Sequence, residues 1–266
     1  MKRLITLFSI IAFPVLAQFA VEEQMHFCAY TNDVGEIFRW RMKFPQYPDE
    51  DRKYPLIVFL HGSGECGVDN KSHIRLGLPN LLKSLRLLNI QAIVMAPQCQ
   101  RGNWWVKRLA MSPSYRMAGN PMPSLEVLME LIDHVRKTRP VDADRIYITG
   151  LSLGGFATWE AVMRYPDVFA AAVPICGGGD VHEVRKLRGL PVWIFHGDKD
   201  RNVSVECSRR MVRAMRDAGC RKVFYTEYPG VKHNSWDKAY RDTEMIRWLF
   251  DQKKTARKPW WKFWQR

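Results

Sequence analysis

The chain has no P-loop and no spaced His/Cys/Asp set that reads as a metal site, so phosphate cradling by that loop and metal chemistry are not expected. No internal repeat or low-complexity linker is visible among its 266 residues. That excludes solenoids and flexible multidomain arrays. Only one long apolar run occurs, Leu4 to Leu16, and it is short for a membrane span. Acidic residues are scarce: 27 Asp and Glu stand against 41 Lys and Arg, a formal charge of +14.

Part of that charge lies at the two ends. Lys2-Arg3 precedes the apolar run, and Val15-Leu16-Ala17 offers small residues for cleavage. Residues 1–17 are therefore expected to be a signal peptide and the mature chain to be exported, periplasmic or extracellular. A retained N-terminal anchor is the alternative. At the other end, residues 253–266 form a basic, tryptophan-rich tail. Such a tail suits an anionic surface or polymer, although a solvated or docked tail is the simpler reading. Nucleic acid is not an expected partner of an exported chain.

Six cysteines remain after cleavage: Cys28, Cys66, Cys99, Cys176, Cys207 and Cys220. An even count in an exported chain permits disulfides whose pairing sequence does not choose. Cys66 and Cys99 follow strand ends on the same side and are placed either to pair or to leave a thiol near the site. Cys176 reads as the end of a buried strand.

Between the ends, with 47% hydrophobic residues, strand and helix patterns alternate. Strands are expected near His26–Tyr30, Ile37–Phe44, Pro55–Leu60, Gln91–Met95, Arg145–Thr149, Ala170–Ile175, Pro191–Phe195 and Lys222–Glu227. Helices are expected at Leu78–Leu88, Ser124–Lys137, Gly155–Met163, Ser204–Ala218 and Trp236–Gln252. This alternation predicts one α/β domain over residues 18–252, with a mostly parallel sheet covered on both faces.

Gly150-Leu151-Ser152-Leu153-Gly154 sits between a strand and a helix. A sharp turn there lifts the Ser152 hydroxyl out of the fold. A serine hydroxyl is a weak nucleophile, so it needs a base and a group to orient the base. Downstream, the strand Pro191–Phe195 runs into His196-Gly197-Asp198-Lys199-Asp200, and the strand Lys222–Glu227 runs toward His233. An acid and a histidine thus follow successive strands, in the chain order Ser, Asp, His. Upstream, strand Pro55–Leu60 runs into His61-Gly62-Ser63-Gly64-Glu65. The Ser63 and Leu153 N–H groups are placed to form an oxyanion hole.

These stretches resemble the α/β-hydrolases. Within them the chain is similar to compact secreted bacterial esterases and predicted peptidases, related to the prolyl oligopeptidase catalytic domain, dienelactone hydrolase and feruloyl or acetylxylan esterases. The resemblance rests on PLIVFLHGSGECGVDN (55–70), Ala96-Pro97-Gln98, DRIYITGLSLGG (144–155), YPDVFAAAVPICGGG (165–179), residues 196–203 and residues 228–236. It implies an α/β-hydrolase fold and a triad of Ser152, Asp200 and His233, with Ser63 and Leu153 as oxyanion donors. Asp200 is preferred to Asp198 because the family spacing is H-G-x-x-D-x-x-V. The chain departs from many relatives at Val203-Ser204, where they carry Val-Pro.

His61 and His196 are expected to hold loops rather than act as bases, and His134 to lie on a helix surface. His26, His73 and His182 have no acid or nucleophile in sequence context. The long segment from Gln98 to Pro123 leaves the carboxyl end of its strand and carries Trp104 and Trp105. Together with Trp236 and Glu65, these are the candidate substrate-binding residues; packing within the loop is the alternative role for the two tryptophans. By resemblance, the expected activity is hydrolysis of carboxylic esters through an acyl-enzyme, with no cofactor. Small esters or esterified plant polysaccharides, acetylated or feruloylated, are the expected substrates. A prolyl oligopeptidase-type peptidase is the first alternative, and a non-catalytic module bound through the tail is the second.

Overall fold

Hydrophobic alternation along the strands decides the architecture. In β3 (Tyr54–Leu60), Leu56, Val58 and Leu60 point into one core, and Ile57 and Phe59 into the other. The same two-residue period sends Ile146 and Ile148 of β5 (Val141–Leu151) to the first core and Tyr147 to the second. Strands that are apolar on both sides must be covered on both sides.

The computed structural model describes residues 24–31, 35, 37–46, 48–49, 51–107 and 112–254. The expected signal peptide, and all of the basic tail beyond Lys254, lie outside the described residues. The eight-stranded sheet has the order β1-β2-β4-β3-β5-β6-β7-β8. The remaining strands are β1 (His26–Thr31), β2 (Ile37–Lys43), β4 (Ile93–Gln98), β6 (Ala171–Ile175), β7 (Val192–Gly197) and β8 (Val223–Tyr228). The β1–β2 and β2–β4 pairs are antiparallel. The pairs from β4 through β3, β5, β6 and β7 to β8 are parallel.

Three helices cover the first face: α2 (Pro123–Thr138), α3 (Leu153–Arg164) and α4 (Glu206–Asp217). The second face takes α1 (Leu78–Leu87), the short α5 (Trp236–Ala239) and α6 (Thr243–Asp251). Among the described residues, no helix is long and apolar enough to cross a membrane.

Two expectations need correction. The strand expected at Gln91–Met95 runs instead from Ile93 to Gln98, because Met42, Arg41, Trp40 and Arg39 of β2 pair with Met95, Ala96, Pro97 and Gln98. The single helix expected over Trp236–Gln252 is two helices. Asp242 breaks it by accepting the Glu244 and Met245 N–H groups, an N-cap that starts α6 afresh.

Candidate active site

Ser152 occupies the turn between β5 and α3, with φ 55° and ψ −117°. This backbone region is rare for a residue with a side chain and costs about 1–3 kcal/mol. The Ser152 N–H holds the turn by donating to the Ile175 carbonyl at 3.0 Å, and it also approaches the Cys176 sulfur at 3.3 Å. The turn can close only because residue 154 is glycine. A Cβ there would run into the Leu60 and His61 carbonyls. The end of β3 is therefore pressed directly against the nucleophile turn.

Two parallel strands deliver the other groups. Residues 198–203 leave β7, and residues 229–235 leave the neighbouring β8. The Lys199 N–H donates to the Val231 carbonyl at 2.9 Å, which fastens one loop to the other. A Cβ at Gly197 would strike the Val231 and Lys232 carbonyls, so the loops can lie this close only with glycine there. His233 Nδ1 then lies 2.7 Å from Asp200 Oδ2, and His233 Nε2 lies 3.0 Å from Ser152 Oγ. Burial pushes the Asp200 carboxyl up. Hydrogen bonds from His196, His233 and the Val203 N–H outweigh that and hold it well below the usual carboxylate range.

Asp198 does not reach His233. Its carboxylate accepts the Gly230 N–H at 2.7 Å and so braces the turn after β8. His196 is fully buried and tied to Ser208 Oγ at 2.7 Å and to the Val203 carbonyl at 3.1 Å. His61 is buried with its Nδ1 2.7 Å from the Gly62 carbonyl, and its Nε2 accepts the Cys99 N–H at 3.0 Å. Burial pushes the His61 imidazole down to about 4. Both histidines hold loops. His134, His26 and His182 are exposed, whereas His73 is buried behind His61 with ring centroids 6.1 Å apart.

The Ser63 and Leu153 N–H groups open a 3-10 turn (Ser63–Glu65) and helix α3, so neither has an acceptor within its own helix. Glu65 ends that 3-10 turn and faces His233. Burial raises its carboxyl, against hydrogen bonds from the Gly62 and Glu65 N–H groups and the nearness of His233. The run Gly62-Ser63-Gly64-Glu65-Cys66-Gly67 spells a dinucleotide fingerprint, but it holds only a three-residue 3-10 turn, Ser63–Glu65, and opens no α-helix. The helix N-terminus that such a motif needs for a pyrophosphate is not formed there.

The three candidate tryptophans separate. Trp236 stands edge-on to His233 with ring centroids 5.2 Å apart, and together they wall a cleft of about 500 Å³. Trp104 is half-buried and packs against the first core. Trp105 is 2% exposed and lies 5.2 Å from the His61 ring. The structure thus puts Trp105 under the loop rather than in the cleft. With Val106 and Tyr115 of the same segment it joins the first core.

Sequence reading missed what ties that long segment down. The Tyr115 hydroxyl donates to the buried Glu160 of α3, whose other oxygen takes Arg164 at 2.8 Å. Arg116 and the Met117 N–H both reach Asp180, at 3.0 and 3.1 Å. A glutamate inside an otherwise apolar helix, Gly155–Met163, was the available signal. The loop is thus strapped to the helix that carries the nucleophile.

Among the described residues, the cysteines form no disulfide. The Cys66 and Cys99 side chains lie in contact, between a Gln98-to-Glu65 bond of 3.1 Å and a Gly67-to-Cys99 bond of 2.9 Å. Cys176, Asp200 and His233 place ligand-type atoms within 4.8 Å of one another. Burial keeps the Cys176 thiol protonated, and Asp200 and His233 are already committed to each other. That donor set does not fit a resident metal.

Comparison with known proteins agrees with the fold. The sequence pattern of the phospholipase/carboxylesterase family matches residues 47–245. A thermostable esterase of known structure is 36% identical, with a TM-score of 0.78 over 87% of this chain and 64% of that one. The poly(3-hydroxyalkanoate) depolymerase C of Paucimonas lemoignei is 32% identical over 124 residues, 47% of this chain. A bifunctional acetylxylan esterase/xylanase of Neocallimastix patriciarum is 28% identical over 127 residues, 43% of this chain. This chain spans only 28% and 19% of the lengths of those two relatives. A feruloyl esterase module from Clostridium thermocellum, complexed with sinapinate, shares the fold, with a TM-score of 0.63 at 14% identity over 88% of this chain and 90% of that one.

Proposed function

Because the chain belongs to the phospholipase/carboxylesterase family of α/β-hydrolases, we propose that it is an exported serine hydrolase that cleaves carboxylic esters through an acyl-enzyme. The observation that carries this reading is the continuous line from Ser152 Oγ through His233 to Asp200, with links of 3.0 and 2.7 Å.

In that line His233 Nε2 takes the proton of Ser152 Oγ as the oxygen attacks the acyl carbon. Asp200 holds Nδ1 and stabilises the imidazolium that forms. The N–H groups of Ser63 and Leu153 receive the oxyanion, and each such donor contributes roughly 3–4 kcal/mol in comparable sites. His233 then protonates the departing alcohol. Water enters, loses a proton to His233 and releases the acid from Ser152. No cofactor enters these steps.

Acetyl or feruloyl esters of plant polysaccharides are the substrates we favour. The acetylxylan esterase among the relatives and the feruloyl esterase among the structural neighbours support that choice. Export is supported by the Lys2-Arg3 start and the apolar run to Leu16. Contact of the basic tail with an anionic surface is part of the same reading.

The test is an ester panel (acetyl, butyryl and feruloyl) with the chain lacking residues 1–17, beside Ser152→Ala. Turnover by the parent that vanishes in a variant with unchanged melting temperature is expected. A folded parent that hydrolyses none of the esters and takes no fluorophosphonate at Ser152 would overturn the reading. Labelling with turnover of peptide amides alone would replace it with a peptidase.

A further inference from the structure

The cleft beside His233 has one sign of charge on its walls. Lys199, Arg201 and Lys232 line it, with the amides of Asn202 and Asn234 and the ring of Trp236. All three cations are exposed, and among the described residues none has a carboxylate within ion-pair distance. The acids close by are engaged elsewhere. Asp198 accepts the Gly230 N–H, Asp237 accepts from Asn80 at 3.0 Å and Asn234 at 3.2 Å, and Asp200 serves His233. Three cations and no carboxylate stand on its walls, and a concave wall focuses the potential of the charges that line it.

Proton bookkeeping says which half of a substrate sits there. His233 must hand a proton to the leaving oxygen, so the alcohol half lies on the His233 side of Ser152. Of Ser152, His233 and Asp200, only His233 walls this cleft, which makes it the candidate for that half. Glu65, the one carboxylate that faces His233 from the oxyanion turn, is not among its walls.

We propose that this cleft receives the alcohol half of the ester, and that this alcohol carries a carboxylate. The inference rests on the ester-cleaving reading and narrows its substrate class to esters of hydroxy acids, either small acids or the acidic sugars of a polymer. The carboxylate sits among Lys199, Arg201 and Lys232, the Asn202 amide offers N–H donors, and Trp236 gives the carbon skeleton an apolar wall.

The experiment compares 3-acetoxybenzoate with 3-acetoxybenzamide, esters of one shape that differ by one charge. At low salt kcat/KM is expected to favour the benzoate by about tenfold. The preference should shrink toward parity at about 1 M salt, where the screening length is about 3 Å. Lys199→Gln with Lys232→Gln should lower the benzoate-to-benzamide ratio. Taking the ratio within each variant cancels any general loss of activity.

Calorimetry on Ser152→Ala with 3-hydroxybenzoate and 3-hydroxybenzamide reads the same preference without turnover. Acetylated polygalacturonate beside acetylated xylan reads the source. Acetate release favouring the acidic polymer assigns a polymeric alcohol, whereas a preference confined to the benzoate pair assigns a small hydroxy acid; either supports the proposal. Equal turnover of both aryl esters, with equal binding of both phenols, overturns the cleft assignment and leaves the esterase reading standing. No turnover of either and no labelling of Ser152 removes the esterase reading, and the calorimetric preference then decides the cleft alone.

Discussion

Asp200 divides its carboxylate between His233 and its own loop. Oδ2 lies 2.7 Å from His233 Nδ1, while Oδ1 accepts the Asn202 and Val203 N–H groups, both at 2.9 Å. The second pair of bonds locks the side chain, so the first can hold the imidazole in one tautomer. With the Nδ1 proton given to Asp200, the Nε2 lone pair is left facing Ser152 Oγ.

Replacing that carboxylate should therefore affect the chemistry more than the fold. Asp200→Asn is expected to lower kcat by about 10⁴, because an amide permits the wrong tautomer. Asp198→Asn should stay within about threefold of the parent, since Asp198 only braces the Gly230 turn. Steady-state kinetics on the two variants separates the roles; equal losses would contradict them.

Acid stability should reflect two buried imidazoles. Burial pushes His61 down to about 4 and, with His61 close by, His73 down to about 3. An unfolded histidine titrates near 6.5, so below that pH the unfolded chain binds protons that the folded chain refuses. Stability from these groups is complete above pH 6.5 and is lost as pH falls toward 4 and 3. Each such proton contributes a slope of about 1.4 kcal/mol per pH unit. In urea unfolding between pH 6 and 4.5, His73→Gln should flatten the slope by up to that amount. An unchanged slope would sink this account.

The nucleophile turn has no room for a methyl group at position 154. Gly154→Ala would press a Cβ against the Leu60 and His61 carbonyls, which belong to backbone at the end of a central strand. We expect a loss of about 3 kcal/mol or more in stability and of activity with it. Circular dichroism melting and ester turnover would report both, and a variant that melts and turns over like the parent would show that the turn can relax.

Tyr115 should matter to the loop more than to the sheet. Tyr115→Phe leaves the buried Glu160 with Arg164 as its remaining partner. The expected cost is about 1–3 kcal/mol, with faster proteolytic cleavage between residues 112 and 121. A variant that resists protease as the parent does would show that the bonds to Asp180, Arg164 and Arg210 hold the loop without Tyr115.

Much of this molecule was legible in order along the chain. Strand and helix alternation reflects local hydrophobic period, and the turn at Ser152 follows from small residues flanking a serine between a strand and a helix. Element ends were less legible. The late end of β4 depends on pairing with β2, and the break at Asp242 depends on a side chain capping the next turn. The same is true of the cysteines. Cys66 and Cys99 were read as neighbours on one side, but their contact requires β3 and β4 to lie side by side.

Residues by themselves determined the fold class, the candidate nucleophile and the order in which an acid and a base follow it, because these are recorded in local spacing. Tertiary structure decided that Trp105 packs inward while Trp236 faces His233, and that Lys199, Arg201 and Lys232 share one cleft. Those outcomes turn on side-chain direction in loops brought together by the parallel pairing of β7 with β8. Segments about thirty residues apart meet there, and no short-range pattern records which of their side chains will point at one another.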